Sequence, residues 1–142
     1  MMVTASNRKR PIGVWVIFIF YTVATAFTAF SYYLVYGGKV ALSDAQAAYF
    51  AGLTVWDHLI SAVQGILSLS GAVVLFAMKR PAPYFFTANA VLGVAVTMWQ
   101  IVSKGWMEAI GSSGAVGAIM GWGILIAVCL YAWHLLKKGR LT

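Results

Sequence analysis

Asp57 and His58 stand side by side at the start of one long apolar run, and Lys104 and Glu108 flank the end of another. A carboxylate beside an imidazole can bind or relay a proton, or hold a cation. Ionisable groups at membrane depth are functional candidates by default. A structural reading competes, in which Asp57 pairs with Lys104 and pins two helices together while His58 faces the lipid headgroups. Counting about 20 residues back from Met78 puts Asp57 at the edge of the hydrocarbon, where a charge stays easily solvated, and this favours the structural reading. Gln64 and Gln100 lie deeper and, with Asp57 and His58, could line a polar vestibule.

Other chemistries fail on residue count or on distance. His58 falls near the outer end of its run and His134 near the inner end of another, so roughly a membrane thickness separates them. Both axial ligands of a bis-imidazole haem must reach one iron, which one chain of this pattern cannot arrange. Zinc or copper needs more ligands than Asp57, His58 and Glu108 supply. Cys129 is the single cysteine, so there is no internal disulfide and no two-cysteine redox site. It reads as a small apolar residue packed between helices. With no pattern for a catalytic serine or a phosphate loop, the expectation is a non-enzymatic protein without metal or cofactor.

The elements that must position these residues are four apolar runs, at residues 12–35, about 54–78, 82–103 and 115–136. Each is long enough to cross about 30 Å of hydrocarbon at 1.5 Å per residue, and spans with no water for their backbone groups must be helical. The chain is 62% hydrophobic and 9% charged, against about 25% charged in a soluble domain. The expected fold is an all-α, four-helix transmembrane bundle occupying residues 1–142 as one membrane domain, with helices at about 12–36, 44–78, 82–103 and 115–136. Pro11 sits at the first turn and Gly37-Gly38 ends the first helix.

Ser43 to Gln46 fits a capping box, so a helix starts at Asp44. Unbroken to Met78 it would be about 52 Å long, which exceeds the bilayer core, and it must project, tilt or break. Gly52 is a plausible break, and residues 44–51 would then form a short interfacial helix with Tyr49 and Phe50 at headgroup level. Lys79 to Pro83 forms a tight turn between antiparallel neighbours. Residues 104–114, with Gly111-Ser112-Ser113-Gly114, read as an outer loop.

Polar and small residues recur every three or four positions along each run. The stripes are Tyr21, Thr25, Thr28 and Tyr32; Thr54, Asp57, Ser61, Gln64 with Gly65, Ser68 and Gly71; Asn89, Gly93, Thr97, Gln100 and Lys104; and Gly114, Gly117 and Gly121. Such faces turn inward in a membrane bundle, where lipid cannot satisfy hydrogen bonds and small residues let backbones approach. Gly117 and Gly121 are therefore expected at a close helix crossing, or alternatively on a self-association surface.

Net charge is +7, and its placement matters more than its size. Arg8, Lys9, Arg10, Lys79, Arg80, Lys137, Lys138 and Arg140 fall on one side of the threaded chain, and only Lys39 and Lys104 on the other. The positive-inside rule then puts both termini in the cytoplasm, in an up-down-up-down topology. The basic linkers suit anionic lipid headgroups, and no extended polar surface remains for nucleic acid. The first apolar run lacks a small-residue cleavage site and reads as a retained helix rather than a signal peptide.

The opening Arg10-Pro11-x-Gly13-Val14, followed by an aromatic-rich apolar stretch, resembles the start of small prokaryotic four-helix membrane proteins of uncharacterised function. The resemblance implies a bacterial or archaeal cytoplasmic membrane and supplies no activity. Small multidrug transporters share the size and helix number, but they place an essential carboxylate within the first helix, which here has no acidic residue. The expected function is an accessory, scaffold or small binding protein of a membrane complex, self-associated or with a partner membrane protein. The alternative is a small oligomeric transporter or channel.

Overall fold

The computed structural model describes residues 10–142; the expected loose tail and the basic pair Arg8 and Lys9 lie outside the described residues. The helices are α1 (Ile12–Tyr36), α2 (Asp44–Ala51), α3 (Val55–Phe76), α4 (Ala82–Lys104) and α5 (Trp106–Lys137), the last interrupted at Gly111. Among the described residues, four helices are long and apolar enough to cross a membrane, α5 contributing Gly114–Lys137. The chain is an all-α, multi-pass membrane protein.

Local chemistry sets the breaks. Gly37 ends α1, and Gly38 takes a left-handed φ of 64°. The Ser43 capping box is formed: the Gln46 amide donates to Ser43 Oγ at 3.3 Å, and the Ser43 amide to Gln46 Oε1 at 3.1 Å. As the helix length demands, the chain breaks at Gly52. A second capping box restarts it, with the Thr54 amide donating to Asp57 Oδ2 at 2.7 Å and the Asp57 amide to Thr54 Oγ1 at 3.4 Å. Each box satisfies helix-end donors that would otherwise be unpaired.

Helices adjacent along the chain pack side by side, α1 on α3, α3 on α4 and α4 on α5. Gly13 closes the ring by meeting Tyr131: a Cβ there would lie 2.7 Å from the Tyr131 hydroxyl. Arg10 stacks 4.3 Å above the Phe76 ring, and the Thr142 amide donates to the Met78 carbonyl at 2.7 Å. The described N-terminal residues, the α3–α4 turn and the C-terminal residues therefore share one end, called here the basic end. The apolar core fills that half, where Val14, Leu75, Ala82, Phe86 and Ala132 are fully buried.

The opposite end is built differently. There α2 packs against α5, the Phe50 ring meets Tyr36 of α1, and the Tyr49 hydroxyl donates to Gln100 Oε1 of α4 at 3.2 Å. Burial, followed by the nearby Tyr32, pushes the Tyr49 phenol up to about 12, so it remains a donor.

Two expectations need correction. Residues 104–114 do not form an outer loop: Gly105, with φ 63°, ends α4, and α5 begins at once with Trp106. Only Gly111, at φ 61° and ψ −171°, breaks the run, in a region of backbone space open essentially to glycine. Gly117 and Gly121 do not stand at a close crossing within the chain. At about 100° per residue they lie within about 20° of the buried Val128 on α5, yet both are exposed, and a Cβ on either would meet no atom within 4 Å. The reason is where α5 meets α1: the two helices face each other along Ile12–Ile17 and Ile124–Tyr131, toward the basic end and beyond the two glycines. The tight crossings fall at Gly71 and Gly93, where an added Cβ would lie 3.2 Å from Phe86 Cε1 and 2.8 Å from Trp122 Cη2.

Candidate functional site

The polar residues singled out in the sequence separate into two groups. The first is a clasp at the end opposite the termini. Lys104, in the last turn of α4, places Nζ 3.5 Å from Asp57 Oδ2 and donates to the Gly52 carbonyl at 2.6 Å. Asp57 Oδ2 also accepts from the Thr54 hydroxyl at 2.7 Å. One ammonium thus binds the end of α2 and the start of α3 to α4. Glu108 takes no part: it is exposed on α5, with no side-chain hydrogen bond or ion pair among the described residues. Gln100 is held by Tyr49.

His58 belongs to the second group. Successive helical residues diverge by about 100°, so Asp57 faces α4 while His58 faces α1. The His58 Nε2 lies 3.1 Å from the Tyr36 hydroxyl, and its ring meets those of Tyr32 and Tyr36 edge-on. The carboxylate–imidazole relay is therefore not assembled: each group has its own partners on its own side. The four-member vestibule is likewise divided, because only His58 and Gln64 share a wall.

That wall belongs to a cavity of about 850 Å³ between α1 and α3. Tyr21, Thr25, Thr28 and Tyr32 line one side, His58, Ser61, Gln64 and Ser68 the other, and the buried Asn89 of α4 borders it. The two polar stripes face each other, but across open space rather than in contact. Small residues make the room: Ala24, Ala29, Ala62 and Gly65 lie along the same walls, and a Cβ at Gly65 would meet nothing within 4 Å.

Most hydroxyls on these helices are satisfied locally. Thr22, Thr28, Ser31 and Ser61 donate to carbonyls four residues earlier, at 2.8 to 2.9 Å. Thr28 and Ser61 on the cavity walls follow this pattern, and other wall residues do not. The side chains of Tyr21, Thr25, Tyr32 and Gln64 have no hydrogen-bond partner among the described residues. Asn89, only 6% exposed, donates from Nδ2 to Ser68 Oγ at 2.8 Å, but its Oδ1 has no partner. Among the described residues, no Lys, Arg, Asp or Glu lines the cavity. Toward the basic end the cavity meets the apolar core, where Tyr21 packs on Phe86 at 5.5 Å between ring centroids.

Sequence reasoning placed Tyr21, Thr25, Tyr32 and Asn89 on inward stripes without treating them as a site. The small residues among them were the available signal, since alanine and glycine beside polar side chains leave volume as readily as they permit contact. Cys129 sits where expected, between helices, its Sγ 3.3 Å from Thr87 Oγ1, which also accepts from Trp133 Nε1 at 3.1 Å. No group of three or more potential metal ligands occurs among the described residues.

No family model matches the chain, and no curated protein or solved structure is significantly similar to it.

Proposed function

We propose that this chain is a non-enzymatic binding protein of a membrane complex, holding a small uncharged molecule between α1 and α3. The observation that carries this reading is the set of unpartnered polar side chains around one cavity in a membrane-spanning bundle. An unpaired polar group surrounded by hydrocarbon costs several kcal/mol. Their collection around one space argues that something occupies it. The volume falls within the roughly 300 to 1,000 Å³ of small-molecule sites. Conduction by one chain is disfavoured, because the polar walls give way to the apolar core rather than continuing to the basic end.

Extraction of the purified protein tests this. Organic solvent should release about one uncharged compound per chain from the parent and none from Gly65→Leu, which adds a bulky side chain on the cavity wall at a position where a Cβ meets no atom within 4 Å. Release from neither would leave water as the occupant and overturn the proposal. Solute flux through parent proteoliposomes, abolished by Gly65→Leu, would replace binding with transport.

A further inference from the structure

We infer that the bound molecule is an uncharged lipid that enters sideways from the bilayer, its hydroxyl-bearing head inside and its chain in the gap between α1 and α3. The inference rests on the binding reading above and deepens it by naming the ligand class and its route.

The route follows from where the two helices touch. At the basic end Phe18 of α1 stacks on Phe76 of α3 at 4.6 Å between ring centroids, and Trp15 meets the same ring edge-on at 4.7 Å. At the far end the Tyr36 hydroxyl lies 3.1 Å from His58 Nε2, and Phe50 of α2 packs on Tyr36. Between these closures the walls carry Ala24, Ala29, Ala62 and Gly65, side chains too small to bridge the space. Thr28, Ala29, Ala62 and Ile66 line the cavity and are also exposed on the molecular surface. At 1.5 Å per residue they lie about 10 to 17 Å in from the far ends of their helices. That depth is hydrocarbon. The mouth therefore opens to lipid, and a ligand dissolved in water would have to cross hydrocarbon to reach it.

Across the bundle the lining grades from polar to apolar. On the inner side Ser68 Oγ accepts from the buried Asn89 of α4, Gln64 stands beside Gly93, and Tyr21 packs on Phe86. At the rim are Ala29, Ala62 and Ile66, joined by Thr28, whose hydroxyl is already bonded to the Ala24 carbonyl. Tyr21, Thr25 and Gln64 have no hydrogen-bond partner among the described residues. Their two hydroxyls and one amide can each donate or accept, which suits a head whose hydroxyls do both.

An amphiphile fits this gradient in one direction only, head toward α4 and chain outward. A bare hydrocarbon would leave the inner wall unpaired, and a small polar solute would leave the apolar rim unfilled. A phosphate or carboxylate head would lose its hydration without gaining a counter-charge, because His58, the one basic side chain among the lining residues, is engaged by Tyr36.

The test uses the full chain in lipid nanodiscs, with melting temperature read as each probe is added. Monooleoylglycerol should raise the Tm by several degrees and saturate. Glycerol (the head alone), octadecene (a chain alone) and oleoyl lysophosphatidate (a charged head) should each give less than half that shift. Thr25→Val, an isosteric change at a side chain with no partner, should weaken monooleoylglycerol binding by roughly threefold to tenfold. Gly65→Leu should abolish the shift. A shift from glycerol or octadecene equal to that from monooleoylglycerol, and lost in Gly65→Leu, would overturn the lipid and keep the binding site. An equal shift from lysophosphatidate would overturn the uncharged head. No shift from monooleoylglycerol, or an extracted compound that partitions into water, would overturn the lipid alone. No shift and no extracted compound would overturn both readings.

Discussion

Lys104 Nζ lies 3.5 Å from Asp57 Oδ2, and the same ammonium donates to the Gly52 carbonyl at 2.6 Å. Three helix ends meet at this point: Gly52 caps the end of α2, Asp57 completes the Thr54 capping box at the start of α3, and Lys104 closes α4. The ion pair is partly desolvated, with side-chain exposures of 17% for Lys104 and 9% for Asp57, and so exceeds a solvated surface pair in weight.

The clasp predicts an unequal double-mutant cycle. Asp57→Ala removes both the cap and the counter-charge, and should destabilise by about 2 to 4 kcal/mol. Lys104→Met keeps the cap and should cost less. The double variant should be more stable than the sum of the two losses predicts, by about 1 kcal/mol. Reversible unfolding in micelles measures all three, and strict additivity would show that the pair is energetically silent.

The glycines of α5 predict opposite signs for one substitution. Gly111→Ala forces a side chain into a conformation that disfavours it and should cost about 1 to 3 kcal/mol. Gly117→Ala and Gly121→Ala stand in regular helix beside open space, and each should gain roughly 0.5 to 1 kcal/mol. Leucine at Gly121 should be tolerated in the folded chain. A loss of assembly on Gly121→Leu, without loss of helix content, would reveal a contact between chains.

Gly93→Ala provides the contrast, because its Cβ would meet the edge of the Trp122 ring at 2.8 Å and the Gln64 amide at 3.1 Å. The expected loss is about 1 to 3 kcal/mol. Trp122→Leu in the same background should restore part of it, as thermal melts of the pair would record.

Titration of Tyr49 should loosen α2 only in strong alkali. Its pKa rises from 10.0 to about 12 on folding, so the folded state favours the protonated phenol. The resulting stability is complete below about pH 10 and fades as pH climbs from there through about 12. A spin label on Ala47 should stay immobile up to about pH 10 and gain mobility above it. In Tyr49→Phe that alkaline step should vanish.

Charge placement predicts membrane orientation. In a Cys129→Ala background, an impermeant thiol reagent outside intact cells should modify cysteine at Lys39 or Ser112 and spare cysteine at Lys79. Modification at Lys79 alone would invert the topology.

Much of the fold was legible because membrane insertion is governed by composition and length. The four runs, the stop at Gly37, the Ser43 box and the break at Gly52 each follow from local rules that tolerate little variation. The pairing of Asp57 with Lys104 also followed, since both sit at the same depth on consecutive long helices. The Thr54–Asp57 box is less legible: Thr-x-x-Asp fits a capping box, but the same two residues also continue the polar stripe along α3, and the pattern alone does not separate the two.

What the sequence determined by itself was the number of spans, their limits and which face of each is polar. Only the tertiary structure decided whether those faces touch. A stripe of hydroxyls, amides and small residues has the same periodicity at a tight crossing and along a cavity wall, and periodicity carries no distance. Here α2 packs on α5, the close crossings fall at Gly71 and Gly93, and the stripes of α1 and α3 face each other across open space. Distance between helices is fixed by the packing of every neighbour at once, and no single run of residues encodes it.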